Sequence, residues 1–412
     1  MTGAPAAEAA ANAARDGYGR LVALLAAADG DIGAAEDALA DALERALRSW
    51  PDQGIPDKPE AWLLTVARNR QRDRWKSAER QRTMPLDPDR DGARVAVIDE
   101  VDPDAIGDKR LELLLACAHP AIDPGVRTPL MLNVVLGFTA ADVATAFAVP
   151  KAAMATRLVR AKRRIKDMGL SFQLPDRSQL PGRMDTVLEA VYGAYVIEWA
   201  TAGTQPRPLP PEGLRLAEVL AELAPQDAEV RGLAALVLLS AARAPARTAP
   251  DGTFVPLAEQ DPARWDQRAI ARAHEHLRAA HAQRTLGRFQ LEAAIQATHC
   301  ARRPGAVADW ATLKQLHTGL HRLAPTHGSA TALAAVLAET DGAARALAFL
   351  DRAVPEEVAF QPAWATRAHL LTLLGRHAAA ALAYDRTIAL TTGSAERDHL
   401  TGLRHAVDPE RR

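Results

Sequence analysis

The sequence FTAADVATAFAVPKAAMATRLVRAKRRIK (138–166) contains two predicted helical segments separated by a proline, and their order predicts the structure of the surrounding region. Thr139 and Asp142 have the spacing of a capping box, so a short helix is predicted to begin there. Pro150 turns the chain, and Lys151–Lys166 is predicted to form a second helix. Its buried stripe is predicted to comprise Met154, Leu158, Ala161 and Ile165.

The second helix carries seven basic residues and no acid between Lys151 and Lys166. A capped short helix, a tight turn and a basic helix occur in this order in a helix-turn-helix, whose second helix lies in the major groove. Side chains near its start reach base edges or nearby phosphates, and the later arginines bind phosphates. The alternative is an ordinary helical hairpin. The predicted DNA-binding residues are Lys151, Thr156, Arg157, Arg160, Arg163 and Arg164.

The composition of the whole chain indicates an all-α protein of several domains. It has 412 residues, of which 48% are hydrophobic and 25% charged, as in globular proteins. Aromatic residues make up only 4%, while alanine and leucine are abundant, which favours helices over sheets. The formal net charge of −1 gives no strong overall attraction to nucleic acid or membrane, so any such signal must be local.

The cysteines and the apolar runs predict a cytoplasmic protein that is not bound to a membrane. Cys117 and Cys300 lie far apart and form no CxxC pair, so neither a disulfide framework nor a compact zinc site is indicated. No run of 18 apolar residues is present, and the first residues lack the pattern of a secretory signal.

An acidic helix face is predicted in the first helical block, residues 16–83. Leu39, Leu43, Ala46, Leu47 and Trp50 fall at helical spacing and are expected to face a core. Asp37 and Asp41 lie one turn apart on the opposite face, followed by Glu44, and offer carboxylates to a basic partner surface. The alternative is a solvated helix face.

The next predicted helix starts at Pro59 and becomes strongly basic. From Arg68 to Arg82 it holds seven basic residues against Asp73 and Glu79. Basic side chains interleaved with an indole offer phosphate contacts and a stacking platform for unpaired bases. The alternative is a basic solvated helix. The predicted DNA-binding residues here are Arg68, Asn69, Arg72, Asp73, Arg74, Trp75 and Lys76.

The rest of the chain divides into a linker, a second helical block and a long C-terminal region. Residues 84–108 hold eight acids against two arginines, with three prolines, and are predicted to be an acidic linker. Helical patterning resumes over 109–168. Residues 183–412 alternate amphipathic runs with Pro/Gly breaks, which predicts helical hairpins.

Part of the C-terminal region follows the spacing of a tetratricopeptide (TPR) unit. The apolar run Leu370–Leu374 is followed by Ala379, Tyr384, Ile388 and Leu390, and the large side chains are expected to fill the seam between two helices. A weaker copy is predicted over Thr331–Val354, with an apolar stripe that continues across Asp341 and Gly342.

The sequence gives no indication of an enzyme. It lacks a P-loop, a GxGxxG after a strand, an HExxH and a GxSxG motif. The pairs His317/His321 and Cys117/His119 each lack a third ligand nearby in sequence, so no metal or cofactor is predicted.

The three charged segments together resemble a sigma-70 family RNA polymerase sigma factor of the extracytoplasmic-function (ECF) class. The resemblance rests on AEDAL (35–39), AWLLTVARN (61–69) and VPKAAMATRLVRAKRRI (149–165). It makes 16–83 region 2 and 109–168 region 4. Cys117-Ala118-His119-Pro120, Asp251-Gly252 and Arg264-Trp265-Asp266 are similar to an ECF subgroup with a C-terminal TPR-like extension.

The resemblance implies partners for each segment. Asp37 and Asp41 would contact the clamp helices of the polymerase β′ subunit, and region 4 would meet the β flap. Arg68–Lys76 would capture the melted minus-ten promoter element, and Lys151–Lys166 would read the minus-thirty-five element. The negative charge of the linker separately suggests the hypothesis that it passes through a basic channel of polymerase, and the C-terminal region is expected to modulate activity or bind an unknown protein.

One rival interpretation stays open at this stage. The family usually has Gln and Phe where this chain has Ala40 and Leu43. A degenerate, non-initiating sigma fold joined to a TPR-like protein-interaction adaptor would account for that change.

Overall fold

A computed structural model describes residues 3–27, 30–81, 106–147, 149–169, 180–201, 212–302, 308–391 and 393–407. The predicted all-α class is confirmed, because the described regular structure is helical apart from an isolated antiparallel bridge between Thr248 and Phe254. The chain divides into two compact units, residues 1–194 and 195–412. The predicted acidic linker 84–108 lies outside the described residues up to residue 105, and its last residues begin a helix.

Helices α1 to α7 belong to the first unit, and α8 spans the boundary between the two units. Helix α1 starts at Gly3, well before residue 16, where helical structure was predicted to begin, and it buries Ala6, Ala10 and Ala13. In chain order the helices are α1 Gly3–Ala26, α2 Ile32–Gln53, α3 Pro59–Gln81, α4 Ile106–Cys117, α5 Pro124–Val134, α6 Ala140–Ala146, α7 Lys151–Asp167 and α8 Pro181–Thr201.

Helix α2 begins at an Asp cap and packs through small residues. Asp31 Oδ1 accepts a hydrogen bond from Ala34 N at 3.0 Å, which satisfies one of the backbone donors exposed at a helix start. The completely buried positions are mostly alanines, so neighbouring helices approach closely along a narrow stripe. The prediction that Leu47 faces the core is wrong: it lies beside that stripe with 50% of its surface exposed.

Helix α3 is fixed to α1 and α2 at its apolar first half. The rings of Trp50 and Trp62 meet edge to face, with centroids 5.4 Å apart. Arg20 of α1 pairs with Glu60. Gln71 is buried and donates from Nε2 to the carbonyl oxygen of Leu25 at 3.3 Å. These contacts fix the direction in which the basic second half of α3 leaves the core.

Helices α6 and α7 form the predicted pair. The capping box is confirmed, since Asp142 N donates to Thr139 Oγ1 at 3.2 Å and Thr139 N donates to Asp142 Oδ2 at 3.1 Å. The predicted stripe of α7 is also confirmed as buried: Met154, Leu158, Ala161 and Ile165.

Successive helices of the second unit pack against one another. Gly232 of α10 lies so close to α12 that an added Cβ would be 2.7 Å from Gln290 N. Three short 3₁₀ turns, at Ala244–Ala246, Leu257–Glu259 and Pro262–Arg264, lie between α10 and α11. The helices are α9 Glu212–Leu223, α10 Ala228–Ala242, α11 Gln267–Ala282, α12 Arg288–Cys300, α13 Trp310–Leu323, α14 His327–Asp341, α15 Ala343–Ala353, α16 Gln361–Leu373, α17 His377–Leu390 and α18 Ser394–Ala406.

The segments predicted to be TPR-like are helical hairpins. Gly375 has φ +69° and turns the chain between α16 and α17. Leu370 and Leu371 are buried, but Leu373 and Leu374 at the end of α16 are exposed, so the prediction that they fill the seam is wrong. Gly342, with φ +91°, separates α14 from α15 where one continuous apolar stripe was predicted.

Two negative findings hold for the described part of the chain. None of its helices combines the length and the apolar character needed to cross a membrane. Its side chains also form no group of three or more His, Cys, Asp or Glu residues that could hold a metal ion.

Candidate polymerase and promoter interface

The exposed face of α2 carries the three predicted polymerase-binding acids. Asp37, Asp41 and Glu44 are all exposed, at successive turns of the helix. Leu47 continues this face one turn after Glu44, and Leu43 is half-buried beside it. The face therefore combines carboxylates with accessible apolar surface, which suits a protein partner better than carboxylates alone.

The second half of α3 carries the first set of predicted DNA-binding residues. Asn69, Asp73 and Arg74 are exposed, and Arg68 and Arg72 are half-buried. The side chains of Trp75 and Lys76 lie outside the described residues, so the predicted stacking platform is not located by the structure.

The acidic face of α2 and the basic face of α3 contact each other. Arg70 Nε donates to Asp41 Oδ2 at 2.7 Å, and Arg74 Nη1 lies 3.6 Å from Asp37 Oδ2. All four side chains are about half exposed or more, so each pair contributes at most about 1 kcal/mol to stability. Such pairs are weak enough for a partner to separate. The two predicted binding sites thus lie on one continuous surface.

The predicted DNA-binding residues of α7 all lie on its exposed face. These are Lys151, Thr156, Arg157, Arg160, Arg163 and Arg164. The hydroxyl of Thr156 donates to the carbonyl oxygen of Ala152 at 2.9 Å, which leaves its oxygen lone pairs able to accept. Val159 lies among them with 66% of its surface exposed. An accessible apolar side chain at this position suits contact with the methyl group of a thymine.

Helix α7 is joined to α2 along its other edge. Lys162 Nζ donates to both carboxylate oxygens of Glu36, at 2.6 and 2.7 Å, and the two side chains are only 16% and 20% exposed. Lys166 Nζ lies 2.7 Å from Asp31 Oδ2. Burial opposes ionisation of Asp31, but the hydrogen bonds from Lys166 and from Ala34 N outweigh it and lower the pKa of Asp31.

Tyr18 completes the contact around Glu36. Its hydroxyl donates to Glu36 Oε1 at 3.2 Å. Burial raises the pKa of Tyr18, and the adjacent Glu36 carboxylate raises it further, so the phenol stays protonated and remains a donor. The Glu36 carboxylate therefore receives hydrogen bonds from both α1 and α7.

A close backbone approach accompanies these ion pairs. Gly19 of α1 is buried, and an added Cβ would overlap the carbonyl oxygen of Val135, the residue that ends α5. Only glycine allows α1 and the end of α5 to lie this close. The segments that resemble regions 2 and 4 are thus packed together by the Lys162–Glu36 and Lys166–Asp31 ion pairs and by this backbone contact.

The thiol and histidine pairs considered for a metal have other surroundings. Cys117 is completely buried, and burial raises the pKa of its thiol to about 12, so it stays protonated. His119 Nδ1 accepts from Ala121 N at 3.1 Å. His321 Nδ1 lies 3.0 Å from Ser329 Oγ, which occupies that ring nitrogen.

Sequence reasoning missed several residues that shape this surface. Gly19, Glu36 and Lys162 make contacts between the two segments, Tyr18 bonds to Glu36 within the first segment, and Arg70 pairs with Asp41. The sequence contains one indication of these contacts: Lys162 and Lys166 are one turn apart and lie to one side of the predicted DNA-binding face. No pattern in the sequence identifies the partners of these lysines.

Comparisons with known proteins agree with the placement of the first three helices. Residues 15–81 match the family model of sigma-70 region 2, and residues 183–281 match a family of unknown function, DUF6596. The chain is 32% identical over 373 residues to the uncharacterized protein R00370 of Rhizobium meliloti (strain 1021), and the similarity covers 89% of this chain and 88% of that protein. No solved structure matches the chain.

Proposed function

We propose that this chain, which belongs to the same family as that Rhizobium meliloti protein and through residues 15–81 to the sigma-70 family, binds core RNA polymerase and directs initiation at specific promoters. The observation that carries the proposal is the match of α1–α3 to region 2, together with the acidic and basic faces that these helices expose side by side. The proposed role is recruitment and not catalysis, so neither a metal nor a cofactor takes part.

Region 2 acts first in the proposed sequence of events. The carboxylates of Asp37 and Asp41 meet a basic surface of the polymerase, the clamp helices of β′, and Leu47 adds apolar contact. Because Asp41 and Asp37 pair with Arg70 and Arg74, their capture by polymerase frees both arginines. The released guanidinium groups then hold the phosphates of the melted minus-ten strand. Docking on polymerase and binding of single-stranded DNA are coupled in this way.

Region 4 acts on the duplex upstream. The exposed face of α7 enters the major groove of the minus-thirty-five element, with Arg157 near the helix start at base edges and Arg160, Arg163 and Arg164 on phosphates. Contact with the β flap would fix the distance between the two promoter elements. This assignment, like membership of the ECF class, rests on the helix order and charge pattern described above.

The second unit is proposed to modulate the first. Its repeated helical hairpins resemble TPR-like modules, which bind proteins along a helical groove. We propose that the second unit receives a signal or binds a protein partner in the cytoplasm.

The decisive experiment is run-off transcription on fragmented genomic DNA from the source organism with purified core polymerase and the full chain. Discrete transcripts that require the chain are expected. A parallel reaction with Asp37→Lys/Asp41→Lys should give none, while Asp52→Lys, a charge reversal at an exposed residue of the same helix, should leave the transcripts unchanged. Core binding without transcripts would instead support a non-initiating adaptor.

The adaptor alternative has one structural observation in its favour. The Lys162–Glu36 pair holds α7 on α2, and the Asp41–Arg70 pair joins the acidic face of α2 to the basic face of α3. The proposed binding elements thus already have contacts within the first unit. A variant that opens the first of these pairs, Glu36→Gln, separates the two interpretations. Transcription that appears or increases in this variant supports a restrained sigma factor, and its absence despite retained core binding supports the adaptor.

A further inference from the structure

The second unit contains a half-buried group of basic side chains around Arg243, at the end of α10. The guanidinium of Arg243 donates to the amide oxygen of Gln296 on α12, and its buried Nε atom has no hydrogen-bond partner among the described residues. Burial lowers the pKa of Arg243. A half-buried guanidinium group whose hydrogen-bond partner among the described residues is a neutral amide is costly unless an anion compensates it.

The ionisable neighbours of Arg243 provide no such anion. Among the side chains that the structure describes, the groups that act electrostatically on it are Cys300, Tyr195 and Arg302. Burial raises the pKa of Cys300, so this thiol remains neutral, and the pKa of a tyrosine is ordinarily near 10. Arg302 adds a second positive charge, held by the backbone oxygens of Leu257, Ala258 and Gln260.

Two histidines on neighbouring helices complete the group. His299 of α12 interacts electrostatically with Arg243, His317 and Arg302. His317 of α13 is buried, and its Nδ1 has no hydrogen-bond partner among the described residues. Burial lowers the pKa of His317 to about 4. Burial together with the adjacent cations lowers the pKa of His299 to about 4, so both rings are neutral at pH 7. A neutral imidazole can donate one hydrogen bond to an anion.

The turn between α10 and α11 adds one more unused donor. Trp265 is buried and lies under Arg302, whose Cζ is 5.7 Å from the ring centroid, and its indole nitrogen has no hydrogen-bond partner in the part of the chain that the structure describes. This turn is rigidly built: Asp266 N donates to Ala242 O at 3.0 Å, which holds it beside the end of α10. Buried donors without partners are rare in folded proteins and call for an explanation.

We propose that Arg243, His299 and His317 form a binding site for a small oxyanion, the carboxylate or phosphate group of a soluble metabolite. The bound oxyanion neutralises Arg243 and accepts from donors that otherwise have no partner. Arginine presents a planar fork that matches both oxyanions. The site gives the second unit a ligand of its own, and it does not depend on the proposed role of the first unit.

The test uses the full chain and measures its melting midpoint against increasing inorganic phosphate, acetate or citrate at constant ionic strength set with chloride. A saturable rise with phosphate alone, or with a carboxylate alone, identifies which of the two groups the site accepts. Arg243→Gln should abolish the rise. Arg272→Gln removes an arginine that already pairs with Glu218 at 3.1 Å, and it should retain the full response.

Two further measurements distinguish the loss of an anion-binding site from a general loss of stability in the Arg243 variants. Arg243→Gln removes a charge without a counter-ion, so its melting midpoint in chloride should be no lower than that of the native chain. Arg243→Lys keeps the charge but loses the fork, and it should weaken the response at least several-fold. The absence of a saturable response to all three anions, or an equal response in Arg243→Gln, overturns the proposal.

Discussion

Lys162 Nζ lies within 2.7 Å of both carboxylate oxygens of Glu36, so the helix proposed to read DNA is bonded to the helix that carries the proposed polymerase-binding face. With 16% and 20% of the side chains exposed, this pair is screened less by salt than a pair at the surface. It holds α7 on α2 within the first unit. We propose that α7 separates from α2 when it binds DNA, a step that requires this pair to break.

Glu36→Gln is predicted to increase the affinity of the chain for duplex DNA. The substitution removes the charge that holds Lys162 and leaves the size of the side chain unchanged. A pair of this kind contributes roughly 0.5–1.5 kcal/mol, so the affinity should rise about two- to tenfold. Fluorescence anisotropy with a labelled random-sequence duplex measures the effect at low and at moderate salt.

Asp52→Asn is the matched control for this prediction, since Asp52 is an exposed acid near the end of α2. It also removes one negative charge, and it should change the affinity by less than about twofold. Equal increases in both variants would mean that Glu36 acts only through net charge and does not restrain α7.

Arg157→Ala is predicted to weaken promoter selection and to lower the salt dependence of DNA binding. Arg157 is exposed near the start of α7, and the loss of one phosphate or base contact should lower the slope of log affinity against log salt by about one. The free energy of unfolding should change by less than about 0.5 kcal/mol because the residue is on the surface. Binding titrations at four salt concentrations and a denaturant melt test both statements.

The Asp41–Arg70 pair allows a charge-swap test of its two proposed roles. Asp41→Arg alone should abolish binding to core polymerase, and it should also reduce stability by at most about 1 kcal/mol because it opposes Arg70. The double variant Asp41→Arg/Arg70→Asp restores an ion pair of reversed direction. It should recover the stability but not the core binding, measured by co-elution with core polymerase. Recovery of both would show that Asp41 serves the fold alone.

Much of this arrangement could be predicted from the sequence because it depends on local patterns. The capping box at Thr139 and the stripe ending at Ile165 require only spacing along a helix. The error at Leu47 has a different origin, since helical spacing cannot distinguish the alanines that allow close packing from a leucine beside them. The Glu36–Lys162 pair joins residues 126 positions apart, and no periodicity in one chain specifies such a contact.

Gly19→Ala is predicted to separate α1 from the end of α5. The added methyl group meets the backbone of Val135, which cannot rotate away, so stability should fall by about 1–3 kcal/mol. Gly402→Ala is the control, because Gly402 lies in α18 with nothing near its Cβ position. That change should raise stability by about 0.5–1 kcal/mol, as glycine is unfavourable inside a helix. A Gly19 variant as stable as the native chain would contradict the close packing of α1 and α5.

The second unit is predicted to lose stability as the pH falls from about 6.5 to about 4. Burial first, and then adjacent arginines, lower the pKa of His276 and His299 to about 4, and burial alone lowers that of His317 to about 4. Unfolding returns each ring to a pKa of about 6.5, so in this range the unfolded chain binds more protons and the free energy of unfolding decreases.

This pH effect can be assigned to individual histidines. Above pH 7.5 both states are neutral, and the melting midpoint should be flat; at pH 5 each histidine should reduce the stability by about 1–2 kcal/mol. His317→Gln removes one titrating ring and should decrease the slope by about a third, measured in chloride with a buffer free of phosphate and carboxylate. His369→Gln is the control, because His369 is an exposed histidine on α16, and it should leave the slope unchanged. A slope that is the same in the native chain and the His317 variant would show that this ring is not held neutral in the folded unit.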